Sequence, residues 1–415
     1  MSNLHVQATP QNVPDANKSK PQNSQNDIKR QQMIWALGFG GFLVNADSRA
    51  ITPMLPAISH TFHTDASTAA LLITAYSIPY GVFQLAFGPI ADRFGKVRTI
   101  LMSLCLFAVG TIACGFVHDF TWLLIMRFIT GMFAAGIIPT TLALIGDQYA
   151  ITERPRTIAF FMSFSTTGQA LGIVVGGLVA QFASFSFLFF IIGLVAFPAL
   201  LALFLQRKHG AAPAGATISL RLRYIALLKN RRAWLIYGLV FTEGFMFFGG
   251  FTFLSVYGVS VLHLSYLAIG LLTAIYSLGA FLGSRTITAV LRRIGAPRMP
   301  VLGSLLMAAG FGVVWSWENV IGLTLGFVVL GFGFSYCHST LQTYATDLLP
   351  QGRATAVSVF AFSLFLGSGL GPVAGGSVYD QFGVGAMLGA AAGGMLIFCL
   401  MCSPLLRKQA VLGNK

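Results

Sequence analysis

The amino-acid sequence predicts an all-α membrane protein of twelve transmembrane helices in two pseudo-symmetric six-helix bundles, with both termini cytoplasmic. Three observations carry this reading. Of the 415 residues, 55% are hydrophobic and only 9% are charged, too few to clothe a water-soluble surface. Apolar runs of about 20 residues, the length that crosses a hydrocarbon core as a helix, recur along nearly the whole chain. Lysine and arginine are confined to alternate loops between those runs. A bilayer admits only helices or closed barrels, because backbone polar groups must be satisfied internally. The short alternating strands of a barrel are not visible in the sequence.

The apolar runs are Met33–Ile58, Thr68–Ala91, Thr99–Val117, Phe120–Leu142, Thr157–Gln181, Ser184–Leu205, Trp234–Gly258, Leu264–Ser284, Met299–Trp315, Asn319–Ala345, Thr355–Tyr379 and Val384–Pro404. Lys18, Lys20, Lys29 and Arg30 precede the first run. Arg93, Lys96 and Arg98 follow the second, and Arg154 and Arg156 the fourth. The basic stretch from Arg207 to Arg232, then Arg285 to Arg298, Arg353, and finally Arg407, Lys408 and Lys415 fall on the same side. The opposite loops hold His60, His63, Asp65, Asp119, Glu318 and Asp380, and no lysine or arginine. The net charge of +14 is therefore a topology signal, and no nucleic-acid partner is expected. Cys105, Cys114, Cys337, Cys399 and Cys402 all lie in apolar runs, outside any metal-site or disulfide context, so no metal is expected.

The domain boundaries follow. Residues 1–32, rich in Gln, Asn and Pro, are expected to be a disordered cytoplasmic tail. Residues 33–205 form the first six-helix bundle, 206–232 a cytoplasmic linker, 233–405 the second bundle, and 406–415 a cytoplasmic tail. The halves resemble each other at a shift of about 200 residues. The stretch Gly168-Gln-Ala-Leu-Gly172-Ile-Val-Val-Gly176 aligns with Gly367-Ser-Gly-Leu-Gly371-Pro-Val-Ala-Gly375, and Arg93-Phe-Gly95 with Arg293-Ile-Gly295. Parallel six-helix repeats build one large class of transporters, with the substrate site between the halves near the midplane.

The loop after the second run reads Gly88-Pro-Ile-Ala-Asp92-Arg93-Phe-Gly95-Lys96-Val-Arg98 and resembles the signature loop of the major facilitator superfamily. The resemblance implies a conformational latch formed by Gly88, Asp92, Arg93, Gly95, Lys96 and Arg98. Its glycines would let helices approach, while Asp92 and the basic groups would bridge the halves and cap helix ends. Arg127-Phe-Ile-Thr-Gly131 in the fourth run is similar to the family's coupling-arginine motif. Gly168, Gly172 and Gly176 resemble the glycine motif of its drug-efflux branch, with Ile173 where that motif has proline. The proline occurs instead in the second copy, as Pro372. Asp47 followed by Leu55-Pro56 in the first run resembles an element of drug:proton antiporters. Thr242-Glu243-Gly244-Phe245 and His338-Ser339 resemble bacterial exporters of the arabinose-efflux and acriflavine-sensitivity type.

Four charges interrupt the apolar runs: Asp47, Arg49, Arg127 and Glu243. Each costs about 2.5–3.5 kcal/mol at a helix centre unless it is paired or wet, so each is a functional candidate. At about 1.5 Å per residue, Asp47 lies roughly 16 Å, and Arg127 roughly 11 Å, from the outer ends of their helices. Those depths are compatible with an ion pair. Arg49, two residues from Asp47, points to nearly the opposite helix face. Asp47, Glu243 and Arg127 are the expected proton-coupling residues. Arg49, Tyr76, Gln169, Tyr276, His338, Gln342 and Tyr344 are the expected lining of a substrate cavity. Gly168, Gly172, Gly176, Gly371 and Gly375 are expected to pack helices closely.

No zinc helix, nucleotide loop or cytoplasmic domain is visible, so no enzyme activity and no cofactor are expected. The resemblance implies a secondary transporter of the bacterial inner membrane, multi-pass and monomeric. Its partners would be a small organic substrate (drug, sugar or metabolite), protons and the bilayer. Export coupled to proton entry is the primary expectation; proton-coupled import of a small nutrient uses the same fold and the same acids.

Overall fold

The computed structural model describes residues 20–149, 152–206, 220–349 and 352–405. These residues are helical almost throughout: α1 (Lys20–Phe62), α2 (Ala66–Phe94), α3 (Lys96–Phe116), α4 (Phe120–Ala134), α5 (Ile138–Gln148), α6 (Arg154–Phe182) and α7 (Phe185–Gln206) in the first half. The second half contains α8 (Leu220–Lys229), α9 (Arg231–Phe251), α10 (Leu254–Ser260), α11 (Tyr266–Ile294), α12 (Met299–Ser316), α13 (Val320–Asp347) and α14 (Arg353–Met401). Among the described residues, ten stretches are long and apolar enough to cross a membrane. The charged α1 supplies another crossing. The last stretch holds two, divided where Gly383 takes φ 79 within α14. The architecture is thus the expected twelve spans.

Two spans are broken. The fourth comprises α4 and α5, interrupted between Ala134 and Ile138 just ahead of Pro139, which lacks the N–H a helix interior needs. The seventh comprises α9 and α10, interrupted at Thr252–Phe253. Helix α1 begins at Lys20, ahead of the apolar boundary at residue 33; once an apolar helix is nucleated, extending it through Gln- and Lys-rich sequence is cheap. The expected linker likewise contains α8, whose Tyr224 hydroxyl donates to the Leu85 carbonyl at 3.4 Å. Residues 1–19, 207–219 and 406–415 lie outside the described residues.

The sequence repeat is a repeat of structure. Gly95 and Gly295 both sit at positive φ, 93 and 81, after the second and eighth spans. His63 and His263 take φ 51 and 53 in the turns before those spans. Asp119 caps α4 through the Trp122 N–H at 3.1 Å, and Asn319 caps α13 through the Gly322 N–H at 2.8 Å. Packing repeats as well. A Cβ on Gly168, Gly172 or Gly176 of α6 would strike the backbone of Phe42, Ala46 or Ala50 on α1. One on Gly367, Gly371 or Gly375 of α14 would strike the backbone of Phe241, Phe245 or Gly249 on α9. Small residues at every fourth position let two backbones touch, which is how helices associate where lipid removes the hydrophobic drive.

Candidate functional site

The backbone contacts decide where the buried charges go. Gly172 presses α6 onto α1 at Ala46, beside Asp47. Gly131, one turn from Arg127 on α4, lies under the Tyr76 carbonyl of α2. Clamped in this way, α1 and α4 bring the Arg127 Nη1 within 2.6 Å of the Asp47 Oδ2, with both side chains sealed from solvent at 1% and 0% exposure. Tyr76 lies face-on to the guanidinium at 4.3 Å, and the Phe189 ring centre is at 5.6 Å. The Tyr76 hydroxyl reaches the Val44 carbonyl at 3.4 Å. A charge-assisted contact of this length inside an aromatic shell is strong, yet it leaves valence unused: Asp47 Oδ1 and Arg127 Nε have no hydrogen-bond partner among the described residues.

The second half repeats the scaffold with different chemistry. Gly331 lies under the Tyr276 carbonyl as Gly131 lies under that of Tyr76. The position matching Arg127 is Phe327, packed at 5.9 Å on Phe251, which in turn lies 4.8 Å from Tyr276. Phe247 joins the cluster at 4.9 Å from Phe334. The acid is displaced toward the basic-loop side: Glu243, fully buried on α9, places its Oε2 3.1 Å from the His338 Nδ1 on α13. His338 stacks on Phe334 with ring centres 4.9 Å apart and keeps 19% of its side chain exposed. The other carboxylate oxygen, Oε1, has no partner among the described residues. This pair is therefore partly exposed, where Asp47–Arg127 is sealed.

The seam between the halves includes a set of contacts far from the basic loops. Gly177 of α6 abuts Gly270 of α11, and the Gln181 Oε1 accepts from the Tyr266 N–H at 3.1 Å. Gly376 abuts Ser67, and the Thr74 hydroxyl donates to the Gly369 carbonyl at 2.6 Å. The Ser255 hydroxyl donates to the Thr52 carbonyl at 2.7 Å, and nearer the midplane Tyr80 packs on Phe365 at 4.3 Å. Arg49 belongs to this seam: its guanidinium lies 4.6 Å from the ring centre of Phe248, on the other half.

The sequence profile of the superfamily that the signature loop resembles matches residues 37–350 and 260–412. The chain belongs to the major facilitator superfamily. It is accordingly a multi-pass secondary transporter and not an enzyme. Among curated relatives, it is 26% identical over 356 residues to the uncharacterized MFS-type transporter YceJ of Bacillus subtilis (strain 168), covering 84% of this chain and 89% of that protein. A shorter match, 28% over 157 residues and 37% of this chain, is to 29% of the multidrug resistance protein Stp of Mycobacterium tuberculosis (strain CDC 1551 / Oshkosh). In fold it is similar to a bacterial homolog of the human lysosomal transporter Spinster, captured inward-facing and unoccupied, at a TM-score of 0.74 and 19% identity over 93% of this chain and 96% of that one.

The superfamily's signature loop differs in detail from the latch expected of it. Lys96 forms an ion pair with Asp147 at the end of α5, within the same half. Asp92 is exposed and makes no ion pair among the described residues. Arg93 lies over the neighbouring Phe94 at 5.3 Å, and Arg98 is exposed. A Cβ on Gly88 would meet nothing within 4 Å, so this glycine is not serving close approach. Gly95 is required for its positive φ, which a side chain would strain.

Of the expected cavity residues, Tyr76 is a core residue at 1% exposure, an aromatic lid on Arg127, and does not line a cavity. Tyr344 lies at the basic-loop end of α13, 5.9 Å from the Arg232 guanidinium, away from the midplane. Gln342 is exposed, Gln169 is half-buried beside Gly168, and Tyr276 is half-buried against Phe247 and Phe251. Sequence reasoning missed Asp147, Phe189 and Phe248. Asp147 left a weak signal, as one of a few acids (with Asp92, Glu153 and Asp347) in the predominantly basic loops; the two phenylalanines left none among the 37 in the chain.

Proposed function

We propose that this transporter is a proton-coupled exporter of a small organic molecule in a bacterial inner membrane, working by alternating access with both termini in the cytoplasm. It would belong with the drug:proton antiporters and with the arabinose-efflux and acriflavine-sensitivity type of exporter. The carrying observation is the pair of buried carboxylates, each held by a base of different character: Asp47 by Arg127 and Glu243 by His338. Export against a gradient needs a group whose charge differs between the two facing states, and for protons that group must be titratable. Arg127 does not release its proton, so it competes with a proton for Asp47. His338, neutral or protonated, exchanges one with Glu243.

The cycle follows. The halves rock about the midplane, and protonating a carboxylate changes which facing state is favoured. Closure on the side opposite the basic loops, through Gly177–Gly270 and Ser67–Gly376, is what an inward-facing state needs. The partial match to a multidrug resistance protein supports the export direction.

The test is transport in everted vesicles with a substrate panel, with and without a proton gradient. Accumulation driven by an acid interior, lost in Asp47→Asn or Glu243→Gln while substrate exchange survives in one of them, is the expected result. Gradient-driven transport by the double neutral variant at the wild-type rate would remove both acids from the coupling role.

A further inference from the structure

Arg49 is an intramembrane cation with no ion-pair partner among the described residues. The ion pairs among the described residues engage Asp47, Asp147 and Glu243, each with another base. Its contact is the face of Phe248 at 4.6 Å. A cation over an aromatic ring recovers part of what it loses on leaving water. An arginine within an apolar span also needs a counter-charge or water, which a ring face does not supply. Arg127 shows what a balanced arginine looks like in this chain: a carboxylate at 2.6 Å and an aromatic lid at 4.3 Å. Arg49 has the lid and lacks the carboxylate.

Its position makes the deficit informative. Arg49 stands on α1 and Phe248 on α9, so the guanidinium spans the seam between the halves, one turn from the Thr52–Ser255 hydrogen bond. It is only half-buried, whereas Arg127 is sealed. Tyr276, itself half-buried, lies within electrostatic reach of both Arg49 and Glu243. A planar, permanently charged fork over the face of Phe248 matches a planar anion carried on an apolar body.

We infer that Arg49 anchors the anionic group of the transported molecule, and that the substrates are small organic anions, foremost carboxylates on an aromatic or apolar body that packs beside the half-buried Tyr276. This rests on the export reading only in taking the seam as the substrate path. Pairing of Arg49 with Glu243 in the opposite facing state is the rival use of the charge, and the test separates the two.

The experiment measures binding to the detergent-solubilised full chain by intrinsic fluorescence and thermal shift. The probes are benzoate, phenylacetate and indoleacetate, their uncharged amides, and the cations benzylamine and tryptamine. The acids are expected to bind, with amides and amines weaker by about tenfold or more. Arg49→Gln should raise the Kd of the acids by about tenfold or more and erase the preference for acid over amide, while Arg49→Lys keeps most of both. The acid–amide contrast in the wild type needs no variant, so a poorly folding Arg49→Gln does not shelter the proposal. Equal binding of acids and amides, absence of acid binding, or acid binding unchanged in Arg49→Gln each overturns it. A variant that slows transport yet keeps the acid preference assigns Arg49 to gating instead. If acids bind through Arg49 but a proton gradient does not drive them, the coupled-export reading fails and the anion site stands. Gradient-driven export of amines would have the reverse meaning.

Discussion

The two halves share a backbone and differ in what they bury. In the first, α1, α2 and α4 enclose an ion pair, Asp47–Arg127, under Tyr76. In the second, the matching space between α9, α11 and α13 holds Phe247, Phe251, Tyr276 and Phe327, with Glu243–His338 toward the basic-loop side. The glycines that set the helix spacing are the same in both, and so is the glycine beneath the tyrosine carbonyl. The scaffold is therefore indifferent to whether its centre is ionic or aromatic. What the difference supplies is two carboxylates in unlike settings: one locked to a permanent cation and sealed, the other beside a titratable histidine that is 19% exposed.

The largest effect should come from unbalancing the sealed pair. Arg127→Ala leaves Asp47 as an unpaired buried acid and should cost about 3–5 kcal/mol, read as a large fall in melting temperature in detergent. Arg127→Lys should recover part of this, since it keeps the charge but loses the fork and the stacking on Tyr76. Replacing both partners together, Asp47→Leu with Arg127→Met, should restore most of the stability and none of the gradient-driven transport. A double variant that transports would break the contrast, because the first half would then be as replaceable by apolar groups as the second.

Next in size are the glycines common to both halves. Gly172→Ala and Gly371→Ala each push a methyl into the backbone of the facing helix and should cost about 1–3 kcal/mol, by similar amounts. Gly88→Ala, with open space around it, should be neutral or slightly stabilising, because alanine is the better helix former by about 1 kcal/mol. Unequal costs at Gly172 and Gly371 would mean that the helix contacts are not equivalent after all.

Glu243→Gln should cost less, about 1 kcal/mol, since the amide keeps a hydrogen-bonding partner for His338. Transport driven by a proton gradient should nonetheless be lost. Asp47→Asn, by contrast, strands Arg127 and should lose both stability and coupling. Melting temperatures measured beside vesicle transport resolve the two signatures, and identical behaviour of the two variants would remove the distinction drawn between the halves.

Much of this was legible because charges in apolar runs are rare and helix rise is fixed. Depth alone puts Asp47 and Arg127 close enough along the membrane normal to pair, and the shift of about 200 residues announces two halves. What depth does not give is azimuth relative to neighbouring helices. Tyr76 reads as a cavity residue until Gly131 is seen to draw α4 under it, which turns the ring onto Arg127. Gly88 reads as a contact glycine because the motif contains it, but a motif does not report what stands opposite a missing Cβ. The breaks in the fourth and seventh spans lie inside unbroken apolar sequence, and hydropathy is blind to them.

The smallest effect on stability, and the sharpest test of the latch, concerns Lys96 and Asp147. Both sit at the membrane edge with 14% and 33% of their side chains exposed, where an ion pair is worth about 0.2–1 kcal/mol at most. Asp147→Asn should therefore leave the melting temperature nearly unchanged. If the pair holds α3 and α5 together in this facing state, losing it shifts the balance between states, and a shift of 1 kcal/mol changes a population ratio about fivefold. Turnover in Asp147→Asn should change by a few-fold, while Asp92→Asn, whose acid is exposed and has no ion-pair partner among the described residues, should change it less. Exchanging the charges, Lys96→Asp with Asp147→Lys, should return turnover toward wild type, because the attraction survives the swap. A larger loss in Asp92→Asn than in Asp147→Asn would show that Asp92 finds its partner in the opposite facing state. The latch would then join the halves as the signature loop implies, and the Lys96–Asp147 pair would be local support for one end of α3.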